Sequence, residues 1–317
     1  MHPILLFFIG LFCLYLGGEL LVKGATSLAV RIGISTLVIG LTVLSFATSA
    51  PELFVSLNAA ISGNTNIMYG NIIGSNIANI ALVLAITAII CPLQIGKTTY
   101  SFVFPSLLFF SIILSFLLWY TETFSYIMGI VALILLISFI FLAFKRSRSS
   151  NKKPVEDSMK VSDSKSISFL SSILFVISSI FLLKYGAEWL VDGAVYIAKI
   201  FNISDTIIAV TIVAFGTSAP ELVTSVIAAL RKEADLAIGN LLGSNIFNIL
   251  AVLGITSLFT ELNVKDMQII LFDIPWMLVV TILFGIFIYN SKKNLITRKE
   301  GLFLFLCYMI YIILSLI

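Results

Sequence analysis

The sequence predicts an all-α integral membrane protein, with ten transmembrane helices arranged as two inverted-topology five-helix repeats. Three observations predict it. Of 317 residues, 60% are hydrophobic and only 11% charged, whereas soluble domains carry roughly 25% charge. Ten apolar runs approach or exceed the roughly 20 residues needed to cross a bilayer. Finally, the chain repeats itself: TVLSFATSAPELFVS at 42–56 returns as TIVAFGTSAPELVTS at 211–225, matching at nine of fifteen positions. GNIIGSNIANI at 70–80 returns as GNLLGSNIFNI at 239–249, matching at eight of eleven, and the offset is 169 residues in both.

The apolar runs lie at 3–23, 36–61, 67–91, 102–120 and 124–144, then at 167–190, 204–229, 235–259, 268–290 and 299–317. The first has no basic region before it and no small-residue cleavage pattern after it. Its Gly17 and Glu19 map onto Gly186 and Glu188 of the sixth run, so it reads as a retained helix. Residues 1–144 form the first half and 167–317 the second, joined by a charged, serine-rich linker at 145–166 with nothing to bury. Cys13, Cys91 and Cys307 do not pair by spacing, so no disulfide framework is expected.

Lysine and arginine placement sets the orientation. The linker carries seven basic residues, and the loops on its side of the membrane carry nine more, 16 of the 19 in all. The linker is therefore predicted cytoplasmic and both termini external, in a multi-pass protein of the cell membrane. Five helices per repeat is an odd number, so matching elements enter from opposite faces and a shared site falls near the midplane. An Asn-X-Ser sequon at 202–204 is discounted because Ser204 is the repeat partner of Ser35.

Within the second run Ser45, Thr48, Ser49, Glu52 and Ser56 recur at three- and four-residue spacing, one polar stripe on an apolar helix. Thr211, Thr217, Ser218, Glu221 and Ser225 do much the same in the seventh. Pro51 and Pro220 precede the glutamates, and a proline inside a helix frees the carbonyl four residues back, here Ala47 and Gly216. The third and eighth runs place Ser75 with Asn79, and Ser244 with Asn248, four apart on one face, with Asn71 and Asn240 a turn earlier. Gly70 with Gly74, and Gly239 with Gly243, have the small-xxx-small spacing of close helix contacts. Serines in membrane helices often bond only to their own backbone, and GxxxG alone is common packing. A glutamate buried in the bilayer is costly and functional by default. Two of them beside hydroxyls and amides suggest an all-oxygen cage for a hard cation.

The paired motifs, ATSAPE with GNIIGSNIAN and GTSAPE with GNLLGSNIFN, resemble the α-repeats of the cation/Ca²⁺ exchanger superfamily, in its Na⁺/Ca²⁺ exchanger branch. The resemblance covers essentially the whole chain. It implies that Glu52 and Glu221 are central ligands shared by Ca²⁺ and Na⁺, and that Thr48 and Thr217 offer backbone carbonyls. It also implies that Ser49, Ser218, Ser75, Ser244, Asn79, Ala214 and Ser45 line flanking Na⁺ sites. Position 47 is Ala where the family has Gly. Position 248 is Asn where K⁺-dependent members have Asp, which keeps an amide oxygen, removes a charge and favours a two-carboxylate site. The first and sixth helices would slide across the rest, as their glycines permit, with Glu19, Lys184, Glu188 and Asp192 as interfacial or gating residues.

Two carboxylates balance one Ca²⁺ or two Na⁺, and a third Na⁺, as the resemblance implies, makes exchange electrogenic. Empty, the site would hold two uncompensated carboxylates in a low dielectric, which discourages an unloaded carrier from changing sides. The expectation is a Na⁺/Ca²⁺ antiporter functional as a monomer in the lipid bilayer, with Ca²⁺ and Na⁺ as transported ions, no cofactor and no nucleic-acid partner. A Ca²⁺/H⁺ or other cation exchanger on the same scaffold, or a cation channel, is the alternative. An enzyme is disfavoured: His2 is the one histidine, and no GxSxG or phosphate loop is present.

Overall fold

A computed structural model describes residues 2–150, 167–201, 214–264, 266–291 and 294–315, and the side chains of 148–150, 214 and 215 are not among what it describes. Most of the linker, the sequon at 202–204 and Thr211 lie outside these residues. Eight helices among those described are long and apolar enough to span a bilayer: α1 (Pro3–Ile32), α2 (Thr36–Ile61), α3 (Thr65–Ile90), α4 (Thr99–Thr121), α5 (Tyr126–Ser147), α6 (Phe169–Ile200), α9 (Ala234–Ser257) and α10 (Ile269–Asn290). Shorter helices complete the order: α7 (Ala214–Thr217), α8 (Ala219–Leu230) and α11 (Arg298–Ser315).

Several boundaries differ from the sequence reading, and the fifth helix continues to Ser150, past its predicted end at 144 and into the predicted linker. The first and sixth spans run on to Ile32 and Ile200, because a long side chain such as Lys23 keeps its charge exposed while its stem stays on the helix. α1 stops at Gly33, whose φ of 73° suits a residue without a Cβ. The seventh span is not one kinked helix. It breaks at Ser218 (φ −89°, ψ 0°), between α7 and α8, whereas Pro51 sits inside an unbroken helical stretch, Ser45–Ile61.

Burial sorts centre from periphery. The whole apolar window of α9 is buried, against 28% of the corresponding windows of α1, α5 and α6. Phe8, Phe12, Ile127, Ile137, Phe141 and Leu170 point outward, an apolar belt of the kind lipid covers. α1 and α6 pack along each other, joined by the Ser172–Ser27 hydroxyl bond of 2.8 Å. At the centre α2 crosses α9 at two glycines. A Cβ on Gly239 would meet the Leu37 carbonyl oxygen at 2.5 Å and the Gly40 Cα at 3.1 Å, so only bare backbone fits there. Gly70 and Gly74 are the repeat partners of Gly239 and Gly243, and the positions that would match Leu37, Gly40 and Leu41 lie outside the described residues. No described atom lies within 4 Å of a Cβ at either, and both line a cavity.

The 169-residue relationship reappears as geometry. α3 and α9 each contain a π-helical turn, at Asn79–Leu84 and Asn248–Val252. Such turns insert a residue and re-aim side chains, often at functional positions. Two antiparallel ribbons close the ends: β1 (Leu93–Gln94) pairs with β4 (Leu295–Ile296), and β2 (Thr123–Phe124) with β3 (Leu262–Asn263). Each ribbon takes one strand from either half. Tyr69 and Thr65 of α3 fasten the second ribbon by donating to the Leu262 and Asn263 carbonyls at 2.9 and 2.6 Å.

Candidate functional site

The polar stripes of α2 and α8 meet the amide faces of α3 and α9 in the middle of the bundle. Glu52 and Glu221 are each 1% exposed. The two carboxylates are close enough to act on one another electrostatically, and the Thr48 and Ser49 hydroxyls approach Glu221. No cluster of three or more His, Cys, Asp or Glu side chains occurs among the described residues. Any cation held here therefore takes most of its ligands from neutral oxygens.

Neutral and acidic oxygens are both present and unpaired. Ser49 Oγ, Glu52 Oε2, Asn79 Oδ1, Glu221 Oε2 and Asn248 Oδ1 are all buried without a hydrogen-bond partner. A buried acceptor left alone costs about 1–3 kcal/mol, more for a charged one, and such atoms are rare unless an ion or water satisfies them. The remaining three orphans among the described residues are the threonine hydroxyls of Thr99, Thr224 and Thr256. Two carboxylates, two amides and a hydroxyl, drawn from both halves, form the donor set of a hard cation.

The amide oxygens are aimed by residues that pattern reading passed over. Asn79 Nδ2 donates to Asn245 Oδ1 at 3.0 Å, and Asn248 Nδ2 to Asn76 Oδ1 at 3.3 Å. Asn245 Nδ2 in turn donates to the Asn76 carbonyl at 3.1 Å. Asn76 and Asn245 are repeat partners inside the GSN triplets, so each half holds the other half's ligand amide. The signal was in the sequence, as an asparagine identical in both copies and adjacent to the residues singled out.

Other predicted residues are engaged in building the walls. Ser45 Oγ donates to the Gly40 carbonyl at 2.8 Å and lies 3.0 Å from the Asn240 carbonyl. Ser75 Oγ donates to the Asn71 carbonyl one turn back at 2.6 Å. Thr48 Oγ1 donates to Asn240 Oδ1 at 3.2 Å and is 3.3 Å from Ser244 Oγ. Asn71 Nδ2 donates to the Glu52 carbonyl at 3.1 Å and to Ser56 Oγ at 2.9 Å, and Asn240 Nδ2 to Ser225 Oγ at 3.2 Å. Ser56 and Ser225 thus serve as acceptors for the asparagines of the neighbouring helix. Ser218 is buried and Thr217 half-buried at the break between α7 and α8, while Ala214 opens α7.

Two cavities reach this centre. One of about 600 Å³ lies between α2, α6 and α8, and it touches Ala47, Pro51, Gly216 and Pro220, with Asn58, Lys184, Glu188 and Asp192 on its wall. The second, about 160 Å³, runs between α3 and α11 and touches Asn71, Ser75, Thr217 and Ser218. The first reaches both proline-glutamate segments at Ala47 and Gly216, whose carbonyls proline leaves unbonded, and the second meets only the segment before Pro220, at Thr217 and Ser218. Elsewhere on α1, Glu19 is held by the Arg231 guanidinium beyond the end of α8, with Nε 3.4 Å from Glu19 Oε1. Glu19, expected as an interfacial or gating residue, therefore bridges α1 to Arg231, while Lys184 and Glu188 pair within α6 at 3.8 Å.

Fold and site together describe an all-α integral membrane protein with a buried, doubly acidic, oxygen-rich centre. The sequence pattern of the family described as "Sodium/calcium exchanger protein" matches residues 2–145 and 171–317. The chain is 31% identical to "Sodium/calcium exchanger MaX1" of Methanosarcina acetivorans, over 98% of this chain and 97% of that one. It is 36% identical to "Uncharacterized membrane protein MJ0091" of Methanocaldococcus jannaschii, over 96% and 95%. A solved structure of the sodium-calcium exchanger NCX_Mj, soaked with Na⁺ and Ca²⁺, superposes with a TM-score of 0.82 at 33% identity, covering 98% of both chains. The chain belongs to the sodium/calcium exchanger family, in the Na⁺/Ca²⁺ exchanger branch of the cation/Ca²⁺ exchanger superfamily.

Proposed function

We propose that this protein is a secondary antiporter that exchanges Na⁺ for Ca²⁺ by alternating access at a midplane site built on Glu52 and Glu221. The observation that carries this reading is the set of five unpaired buried oxygens on Ser49, Glu52, Asn79, Glu221 and Asn248. No protein donor bonds them in the structure, and a cation between them would satisfy them together. Thr48 and Thr217 offer backbone carbonyls, and Ser49, Ser218, Ser75, Ser244, Asn79, Ala214 and Ser45 line the flanking Na⁺ positions. Family membership supports the pair of ions, and the exchange of strands between halves supports a ten-span inverted repeat. In this reading the termini face outward, the 145–166 linker faces the cytoplasm, and one chain in the cell membrane is the working unit.

Ionised, the two carboxylates match one Ca²⁺ or two Na⁺. A third Na⁺ adds one uncompensated charge, and that charge makes the cycle electrogenic. The deciding experiment is ⁴⁵Ca²⁺ uptake into proteoliposomes loaded with Na⁺, K⁺ or choline, for wild type, Glu52→Gln and Glu221→Gln. Na⁺-driven uptake lost in both variants is the expected result. Uptake driven by a pH gradient alone would replace Na⁺ with H⁺ as coupling ion, and flux that persists with no ion on the opposite side would make the protein a channel.

A further inference from the structure

Another carboxylate is set into a membrane helix, outside the duplicated motifs. Asp273 is the single acidic residue of α10, at the end of its π-helical turn Ile269–Asp273, and the residue at the same place in the turn of the first half, Thr99–Val103, is Val103. Intramembrane carboxylates are rare and functional by default, and nothing in the two-glutamate site accounts for this one. It is half-buried and bonded: Tyr311 Oη of α11 donates to Asp273 Oδ1 at 3.0 Å. The phenol ring is clamped, stacked on Phe272 at 5.7 Å and 13°, and packed edge-on to Trp276 at 6.0 Å.

Tyr311 also lines the 160 Å³ cavity between α3 and α11, across from Asn71, Ser75 and Ser218. With its proton committed to Asp273, the phenolic oxygen keeps its lone pairs for that cavity. The bond to a carboxylate makes that oxygen a stronger acceptor. The cavity has room for an ion with a few waters, each taking about 30 Å³. No carboxylate lines it, and the one bonded to a lining residue, Asp273 behind Tyr311, carries enough charge to balance a monovalent ion. Ca²⁺ wants about six to eight oxygens and more negative charge.

We infer that Asp273 and Tyr311 form a staging site for a monovalent cation, Na⁺ in the exchange reading on which this inference rests, at the cavity that leads to Ser75 and Ser218. Tyr311 supplies the contact oxygen, and Asp273 is a positioning residue that acts through it. The test is homoexchange in proteoliposomes, ²²Na⁺ against Na⁺ and separately ⁴⁵Ca²⁺ against Ca²⁺, for wild type, Tyr311→Phe, Asp273→Asn and the double variant. Each single variant should raise the half-saturating Na⁺ concentration about tenfold, the size of one lost hydrogen bond to a charged group. The double variant should be no worse than Tyr311→Phe, and the half-saturating Ca²⁺ concentration should stay within about twofold of wild type. Unchanged Na⁺ dependence in Tyr311→Phe overturns the inference, as does an equal loss for both ions, which marks a merely structural pair. A wild type with ²²Na⁺ homoexchange but no Na⁺-driven ⁴⁵Ca²⁺ uptake sinks the exchange reading alone, and the variants still decide the staging site. Absence of ²²Na⁺ homoexchange in wild type overturns both.

Discussion

The amide of Asn79 is held by Asn245 at 3.0 Å, across the boundary between the two halves. The bond occupies the Asn79 nitrogen and leaves its oxygen unpaired in the centre of the site. Replacing Asn245 with Leu removes the acceptor and lets the Asn79 amide turn. Lost positioning of about 1–3 kcal/mol should weaken cation affinity by roughly tenfold or more. Half-saturation of Na⁺-driven ⁴⁵Ca²⁺ uptake reads this directly, and Asn76→Leu should act likewise through Asn248, which it holds at 3.3 Å.

The crossing of α2 and α9 leaves no volume for a side chain. Gly239→Val places atoms against the Leu37 carbonyl and Gly40, and overpacking of this kind costs about 1–3 kcal/mol. A lower melting temperature by fluorescence-detected size exclusion is expected, along with reduced exchange. An unaltered melting temperature would mean that the two helices separate readily.

The Glu19–Arg231 pair links α1 to the end of α8, with side chains 24% and 45% exposed. Exposed pairs contribute about 0–1 kcal/mol, so Glu19→Ala should barely change stability. Its effect should appear in turnover, because the pair joins a helix expected to slide to one expected to stay. Glu19→Ala and Arg231→Ala should alter the maximal exchange rate to a similar extent, and the swapped pair Glu19→Arg with Arg231→Glu should restore it. Swapped and single variants that behave alike would remove the pair from the cycle.

The charge count gives a sign for voltage. Three Na⁺ leaving a vesicle for each Ca²⁺ entering carries one positive charge out. An inside-positive potential should accelerate ⁴⁵Ca²⁺ uptake into Na⁺-loaded proteoliposomes, and an inside-negative one should slow it. Indifference to a potassium diffusion potential would instead give two Na⁺ per Ca²⁺.

Residues spelled twice were legible; residues whose role comes from the partner half were not. The duplicated TSAPE segments pointed to Glu52 and Glu221 because burying two carboxylates is too costly to be accidental. Asn76 and Asn245 were equally duplicated, yet their task is a bond to the opposite repeat, which spacing along one helix does not reveal. The π-helical turns at Asn79 and Asn248 shift the face that a 3.6-residue period assigns. The break at Ser218 was invisible because Pro51 and Pro220 sit in nearly identical words, and only one of the two interrupts its helix. Asp273 has no counterpart in the other half, so a search by repetition passes over it.

The strand exchange at the ends of the bundle bears on how the molecule is assembled. Residues 93–94 and 123–124 of one half find their partners at 295–296 and 262–263 of the other. Neither half can complete a ribbon by itself, and neither can satisfy the amides of Asn79 or Asn248. The covalent link between the halves should therefore be dispensable, with two separately translated halves expected to reunite in a membrane through these contacts. A gene split at the linker should still yield a working transporter, while either fragment alone should be an orphan for the quality-control proteases.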